Sequence, residues 1–151
     1  MEESALKKNV IVMLFVIFMV AGSLNMLEAR TGIGIIVGEP TGISIRISNF
    51  PVIGIAWSIF DNYFHVHCDY WLANKKLDRS LYGYYGLGVK LTGNDKGADD
   101  DLQLGARVPF GLQYYVAPRV ELFAEVVPGM RVVPDTDFDI DGSIGVRFYF
   151  R

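Results

Sequence analysis

Cysteine and histidine are scarce in this chain of 151 residues, which contains only Cys68, His65 and His67 of these types. A single cysteine excludes an internal disulfide framework and a zinc site built from cysteines. A strong charge of one sign is also absent, because the net charge is −3 and the isoelectric point is about 5.3. This acidic balance argues against binding to polyanions. We therefore expect no nucleic-acid partner and no cofactor.

Long hydrophobic runs are rare as well, and the clearest one spans Val10–Gly22. It is too short for a helix that crosses about 30 Å of hydrocarbon at about 1.5 Å per residue. Two lysines precede the run, and small or polar residues follow it, as in a cleaved export signal. Residues 1–29 are predicted to be this signal peptide, with cleavage after Ala29 or Ser23, and an uncleaved signal anchor is the alternative. The domain itself is then 30–151.

Glycine and aromatic residues are abundant, with 16 glycines, ten phenylalanines and eight tyrosines. From Thr31 onward apolar residues recur at every second position, and turn residues interrupt them at nearly even spacing, which predicts β-strands. The uncharged rows of the eight predicted strands run over Ile33–Val37, Ile43–Ile47, Ile53–Ile59, Phe64–Tyr70, Leu81–Leu91, Leu102–Tyr114, Val120–Pro128 and Phe138–Phe150. The predicted fold class is all-β, an eight-stranded antiparallel up-and-down transmembrane β-barrel.

The distribution of glycines and aromatics decides which row faces outward. A soluble barrel would turn its charged row to water, whereas a membrane barrel turns that row into the lumen. Eight glycines lie on the charged rows, where they make room in a narrow lumen but would serve no purpose on a solvated face. Aromatic residues cluster at the strand ends as two membrane girdles. The predicted girdles are Trp57, Phe60, Phe64 and Phe138 at one rim, and Phe50, Tyr70, Trp71, Tyr114, Phe148 and Phe150 at the other.

The inward rows predict a lumen filled by polar side chains. The expected network consists of Arg46, His65, His67, Asp69, Lys90, Arg107, Glu121, Glu125, Asp139, Asp141 and Arg147. Buried charges persist only when they are paired and hydrogen-bonded, and eight strands leave room for side chains only. The near balance in sign therefore predicts a cross-linked plug with no open pore. Arg107 and Arg147 are expected to meet Glu121 or Glu125. Bulges are expected at Pro109 and Pro128, because each proline removes a ladder hydrogen bond.

The last predicted strand ends in a pattern of its own. Ser143 is followed by Gly145 two residues later and by Phe148 and Phe150 five and seven residues later, and Arg151 comes after the final aromatic residue. This arrangement resembles the C-terminal insertion signal of bacterial outer-membrane barrels. Arg151 departs from that signal, which usually ends on the aromatic residue.

Two further stretches carry a resemblance that covers nearly all of the mature domain. Gly32–Gly42, and Glu125–Gly129 together with Pro134–Asp139, resemble a family of small, mostly uncharacterised bacterial outer-membrane barrels. The general architecture is similar to that of the OmpX and OmpA barrels. The resemblance implies an outer-membrane location, with outer-membrane lipid, lipopolysaccharide and the barrel-assembly machinery as partners. It implies no activity and leaves the extracellular partner unknown.

Two clusters have residue types that bear on chemistry. His65, His67 and Asp69 share one face of a strand and have side chains suited to a metal, and a two-residue turn at 61–62 would place Ser58 opposite His65. The favoured interpretation is that these side chains fill the lumen in a non-enzymatic barrel with a structural or surface-loop role. The alternative is a lipid-modifying enzyme of the lipid A acyltransferase or deacylase type, using His65 or His67 with Ser58.

The segment from Asp137 to Gly142 copies the first half of a calcium-binding loop, D-x-D-x-D-G. The copy fails further on, because Phe148 stands where the loop needs a bidentate glutamate. We predict a strand with inward aspartates here. The acidic stretch 94–101 is predicted to be a solvated loop.

The even strand number predicts a topology that proteolysis can test. With the amino terminus in the periplasm, the hairpins place 38–41, 61–62, 92–101 and 129–137 outside the cell. Trypsin added to intact cells should therefore cut at Lys96 before it cuts at Lys75 or Lys76. Earlier cleavage at Lys75 would show the opposite orientation.

Overall fold

The computed structural model describes Met13 and residues 30–47, 50–58, 63–94 and 102–150. The predicted signal peptide lies outside these residues except for Met13, and so do most of the acidic loop and Arg151. The strands are β1 (Thr31–Glu39), β2 (Thr41–Ile47), β3 (Phe50–Trp57), β4 (Tyr63–Lys76), β5 (Leu81–Asn94), β6 (Gln103–Arg107), β7 (Phe110–Ala117), β8 (Val120–Val133) and β9 (Asp137–Phe150). Among the described residues, no helix is long and apolar enough to cross a membrane.

The strands form one closed antiparallel barrel. From β1 to β5 each strand pairs with the next in the chain, β8 pairs with β9, and β9 pairs with β1 to close the ring. β6 and β7 both lie between β5 and β8, so they form a single span that is interrupted at Val108 and Pro109. The barrel therefore has eight spans, which confirms the predicted fold class.

The interruption at Pro109 has a simple cause. Proline has no backbone N–H and cannot complete the ladder. The flanking backbone still bonds across the gap, because Gly86 donates its N–H to the carbonyl of Pro109 and Val108 donates to the carbonyl of Pro128. The register is the same on both sides of Pro109 and does not shift at Pro128, so the bulges predicted at these two prolines are not observed.

The two rims of the barrel differ in their connections. One, called here the terminal rim, carries Arg30, the end of β9 and the connections 77–80 and 118–119. The other, called the loop rim, carries Pro40, the connections from β3 to β4 and from β5 to β6, and the turn 134–136. β8 and β9 extend further than predicted, so their turn is shorter than 129–137. β4, β5, β8 and β9 have 14 residues each, whereas β2 has seven, so the described barrel wall is taller on one side.

The apolar rows face outward, as predicted. Ile35, Leu87 and Ile144 are each more than half exposed, whereas Glu121 and Arg147 on the opposite rows are almost completely buried. A soluble barrel would show the reverse pattern. The alternation thus turns hydrocarbon-compatible side chains outward and charges into the lumen, as in a transmembrane barrel.

Most of the predicted girdle residues lie on the exterior. Trp57, Phe64, Phe138, Tyr70, Tyr114, Phe148 and Phe150 are exposed. The side chains of Phe50 and Phe60 lie outside the described part of the chain. Trp71 was wrongly placed in a girdle: it follows Asp69 by two positions, so alternation puts it in the lumen, where it stacks on Tyr84 with 3.7 Å between ring centroids.

Cys68 belongs to the outward row, as expected. It lies between its ladder partners Ile53 and Val89 and is fully covered.

Candidate functional site

The lumen near the terminal rim is organised around Glu121. Arg147 donates from Nη1 to Oε1 of this carboxylate over 2.6 Å, and Arg46 donates from Nη1 to Oε2 over 3.0 Å. The hydroxyl of Tyr149 also donates to Glu121. The side chain of Glu121 is fully buried. One carboxylate therefore holds the buried guanidinium group of Arg147 and the largely buried one of Arg46, in the paired state that buried charges need.

The remaining surfaces of the two guanidinium groups are also occupied. Arg147 donates from Nε to the hydroxyl of Ser44 over 2.9 Å, and its Cζ lies 3.8 Å from the ring centroid of Phe123. Arg46 lies over Trp71, with Cζ 4.1 Å from the ring centroid. Hydrogen bonds in the guanidinium plane and rings against its face are the two contacts that arginine makes best.

A second group occupies the middle of the lumen. Arg107 Nε lies 3.0 Å from Asp69 Oδ1, as an ion pair whose angles do not meet those of a hydrogen bond. His65 Nε2 lies 2.8 Å from His67 Nδ1, and His67 Nε2 lies 3.8 Å from Asp69. One of the two facing imidazole nitrogens must donate and the other must accept, so the two rings are not both doubly protonated. Beside this group Tyr84 donates its hydroxyl to Glu125.

The imidazoles therefore bind each other. Among the described residues, no group of three His, Cys, Asp or Glu side chains is arranged to hold a metal ion. This observation applies to His65, His67 and Asp69, the set suggested by alternation along β4.

A third group lies at the loop rim around a polar cavity of about 460 Å³. Lys90 binds Asp139 and lies 3.6 Å from Asp141. Arg131 pairs with Asp137 over 3.0 Å, and both side chains are partly exposed. The calcium-like sequence is thus part of strand β9, as predicted, and its three carboxylates lie next to basic side chains.

Inward glycines make four contacts of the lumen possible. Four of the pairs span a strand that lies between the partners, and in each case the intervening residue of the same ladder row is glycine. The rows are Asp69–Gly88–Arg107, Arg147–Gly34–Ser44, Tyr149–Gly32–Arg46 and Tyr84–Gly111–Glu125. A Cβ added to any of these glycines would overlap the side chain that crosses it. The predicted role of lumen glycines in making room is therefore confirmed in detail.

The predicted ion pairs are right for one arginine and wrong for the other. Arg147 meets Glu121, but Arg107 meets Asp69, because Gly88 is the only residue between them in the ladder row. Glu125 is bound by Tyr84 and not by an arginine. Alternation had placed all of these residues in the lumen, but it carries no information on which rows align.

Two residues of the site were missed by sequence reasoning. Ser44 is fully buried and Trp71 lies between Arg46 and Tyr84. Ser44 stands two positions before Arg46 on the same inward row, so its row was a usable signal. Trp71 was assigned to a girdle by residue type, although its position on the strand pointed inward.

The register between β3 and β4 also differs from the predicted one. Ala56, and not Ser58, lies opposite His65. The reason is the connection: Ser58 donates its backbone N–H to the carbonyl of Tyr63, so four residues join the strands in place of the two expected. Ser58 and His65 are therefore not brought face to face.

The residues of the terminal strand pattern divide between the two faces. Phe148 and Phe150 are exposed on the exterior near the terminal rim. Ser143 and Gly145 lie on the inward row, opposite Glu125 and Phe123 of β8. This division is what alternation in β9 requires.

Fold and lumen together define the class: a closed eight-span antiparallel transmembrane β-barrel with a polar, side-chain-filled interior. A structure reported under "De novo design of transmembrane beta-barrels" is similar, with 17% identity, a TM-score of 0.53, and coverage of 80% of this chain and 95% of that one. Neisserial surface protein A is also similar, with 16% identity, a TM-score of 0.47, and coverage of 81% and 94%.

The family model of proteins of unknown function DUF3996 matches residues 23–150, and the chain belongs to this family. No curated protein matches this chain.

Removal of Glu121 tests the site. Glu121→Ala should destabilise the folded barrel by about 3–5 kcal/mol, because Arg46 and Arg147 would stay buried without their carboxylate. Asp137→Ala is the matched control, since it breaks an exposed ion pair with Arg131 and should cost less than about 1 kcal/mol. Urea unfolding from lipid vesicles, followed by tryptophan fluorescence, measures both. Equal losses for the two variants would contradict the account.

Proposed function

We propose that the chain is a small, non-enzymatic outer-membrane β-barrel without an open pore, which acts by stabilising the membrane or through its surface loops. The observation that carries the proposal is the cross-linking of the lumen by Glu121, which holds Arg46 and Arg147. A permanent aqueous path would have to separate these buried partners, and exposing one side of a buried pair is costly. The side chains of the lumen thus cross-link the strands of the barrel and leave no open channel between them.

The charges of the lumen support a plug in place of an ion filter. Selectivity in pores comes from rings of charge of one sign. Here basic and acidic side chains are mixed at every level: Glu121 lies with two arginines, Asp69 with Arg107, and Lys90 with Asp139. Aqueous channels are a property of barrels with about 16 strands, whereas eight enclose little more than side chains.

The outer-membrane location is supported by three features that agree with one another. Residues 1–29 have the pattern of an export signal, the end of β9 resembles the insertion signal of outer-membrane barrels, and the exterior of the described barrel is apolar. We include in the proposal the periplasmic position of the terminal rim, an architecture of the OmpX and OmpA type, and contact with outer-membrane lipid, lipopolysaccharide and the assembly machinery.

The lipid-modifying alternative requires a serine and an imidazole within hydrogen-bonding reach. The ladder places Ala56 opposite His65, and the histidines bind each other. We therefore prefer the non-enzymatic role. The loops at the loop rim and the lipid-facing exterior are then the surfaces through which the protein acts.

Conductance measurements test the plug. Purified protein inserted in a planar bilayer should show no steady current, with only rare small openings, because the lumen is crossed by ion pairs at several levels. A porin inserted in the same way supplies the positive control. A large, stable, ion-selective conductance would contradict the proposal.

A further inference from the structure

An open apolar groove of about 1010 Å³ crosses the exterior of the barrel. Six of its residues lie on one outward row of the ladder, each paired with the next across adjacent strands: Lys75, Gly83, Leu112, Ala124, Ile144 and Val37. Gly83 and Ala124 are small and form its floor. A second groove, of about 600 Å³, shares its last four residues and extends it. The groove is therefore a continuous depression in the surface that faces the lipid.

The groove runs from one rim towards the other. Lys75 is the penultimate residue of β4 at the terminal rim, and Val37 lies two residues before the end of β1 at the loop rim. Five interstrand spacings separate them, which is about 24 Å along the row. Because the strands of a barrel tilt by about 35–45°, this row rises by about 14–17 Å along the membrane normal, which is about half of the hydrocarbon core and matches one leaflet.

A positive charge stands at one end of the groove. Lys75 is exposed and makes no ion pair with another described residue. The terminal rim around it is basic, since the charged residues described there are Arg30, Lys75, Lys76, Asp78, Arg79 and Arg119. A basic rim attracts the negative surface of a membrane, at about 1 kcal/mol per cation.

We propose that the groove binds an acyl chain of an anionic phospholipid whose phosphate group is held by Lys75. The apolar row matches the chain, and the lysine at the headgroup level matches the phosphate. The site rests on the proposed membrane location of the barrel. At this site the exterior of the barrel would bind one class of lipid in preference to the others in the surrounding bilayer.

Charge and shape can be tested separately with matched variants. Lys75→Gln removes the phosphate partner, and Lys76→Gln is its control, because Lys76 pairs with Tyr82 on the lumen side of the same strand. Ala124→Phe fills the floor of the groove. Ala106→Phe is its control, since Ala106 is an exposed outward alanine that does not line the groove.

Native mass spectrometry of the full chain, released from micelles that contain phosphatidylglycerol and phosphatidylcholine with the same acyl chains, measures the retained lipid. Wild type and both controls should retain phosphatidylglycerol preferentially. Lys75→Gln should lower its retention about fivefold, and Ala124→Phe should abolish retention of both lipids. Equal retention in Lys75→Gln and Lys76→Gln, or unchanged retention in Ala124→Phe, would overturn the proposal.

Two further readouts distinguish a lipid site from a dimer interface and from a failure of membrane insertion. A dimer that persists in wild type and is lost in Ala124→Phe would assign the groove to a second copy of the chain and overturn the lipid site. Protection from protease in vesicles reports insertion for every variant. A wild type that inserts without retaining lipid would refute the lipid site alone, whereas failure of the wild type to insert would refute the proposed membrane location as well.

Discussion

Four polar side chains in this lumen reach partners two strands away across a strand that presents a glycine between them. Arg147 reaches Ser44 above Gly34, and Asp69 meets Arg107 above Gly88. Any Cβ at these points would occupy the space of the crossing side chain. Because buried charges are stable only when paired, the Asp69–Arg107 ion pair depends on Gly88.

This constraint assigns different roles to the two faces of the barrel. The interior is a set of fixed partners in which Glu121 and Asp69 balance neighbouring arginines, so its side chains serve the wall and leave little space for a substrate. The exterior repeats apolar residues and is interrupted by a groove that begins at Lys75. Under the proposed function, the protein acts at the loop rim and on the lipid-facing surface.

The alternation of the sequence was sufficient to predict the number of spans and the face that each residue takes, because parity along a strand is a local property. It could not predict which rows align across strands. The Ser58–His65 pairing failed because four residues connect β3 to β4, and the Arg107–Asp69 pair was missed because stagger is set by connections and by the whole ring. Trp71 shows the opposite error, where residue type was allowed to override parity.

The dependence of the network on glycine is tested most directly by comparing two glycine-to-alanine variants on neighbouring strands. At Gly34 a Cβ would overlap the backbone carbonyl oxygen of Val146 and the side chain of Arg147, whereas at Gly142 a Cβ has no neighbour within 4 Å. Gly34→Ala should lower the free energy of unfolding from lipid vesicles by about 1–3 kcal/mol, and Gly142→Ala should leave it unchanged. Equal stability of the two variants would contradict the account.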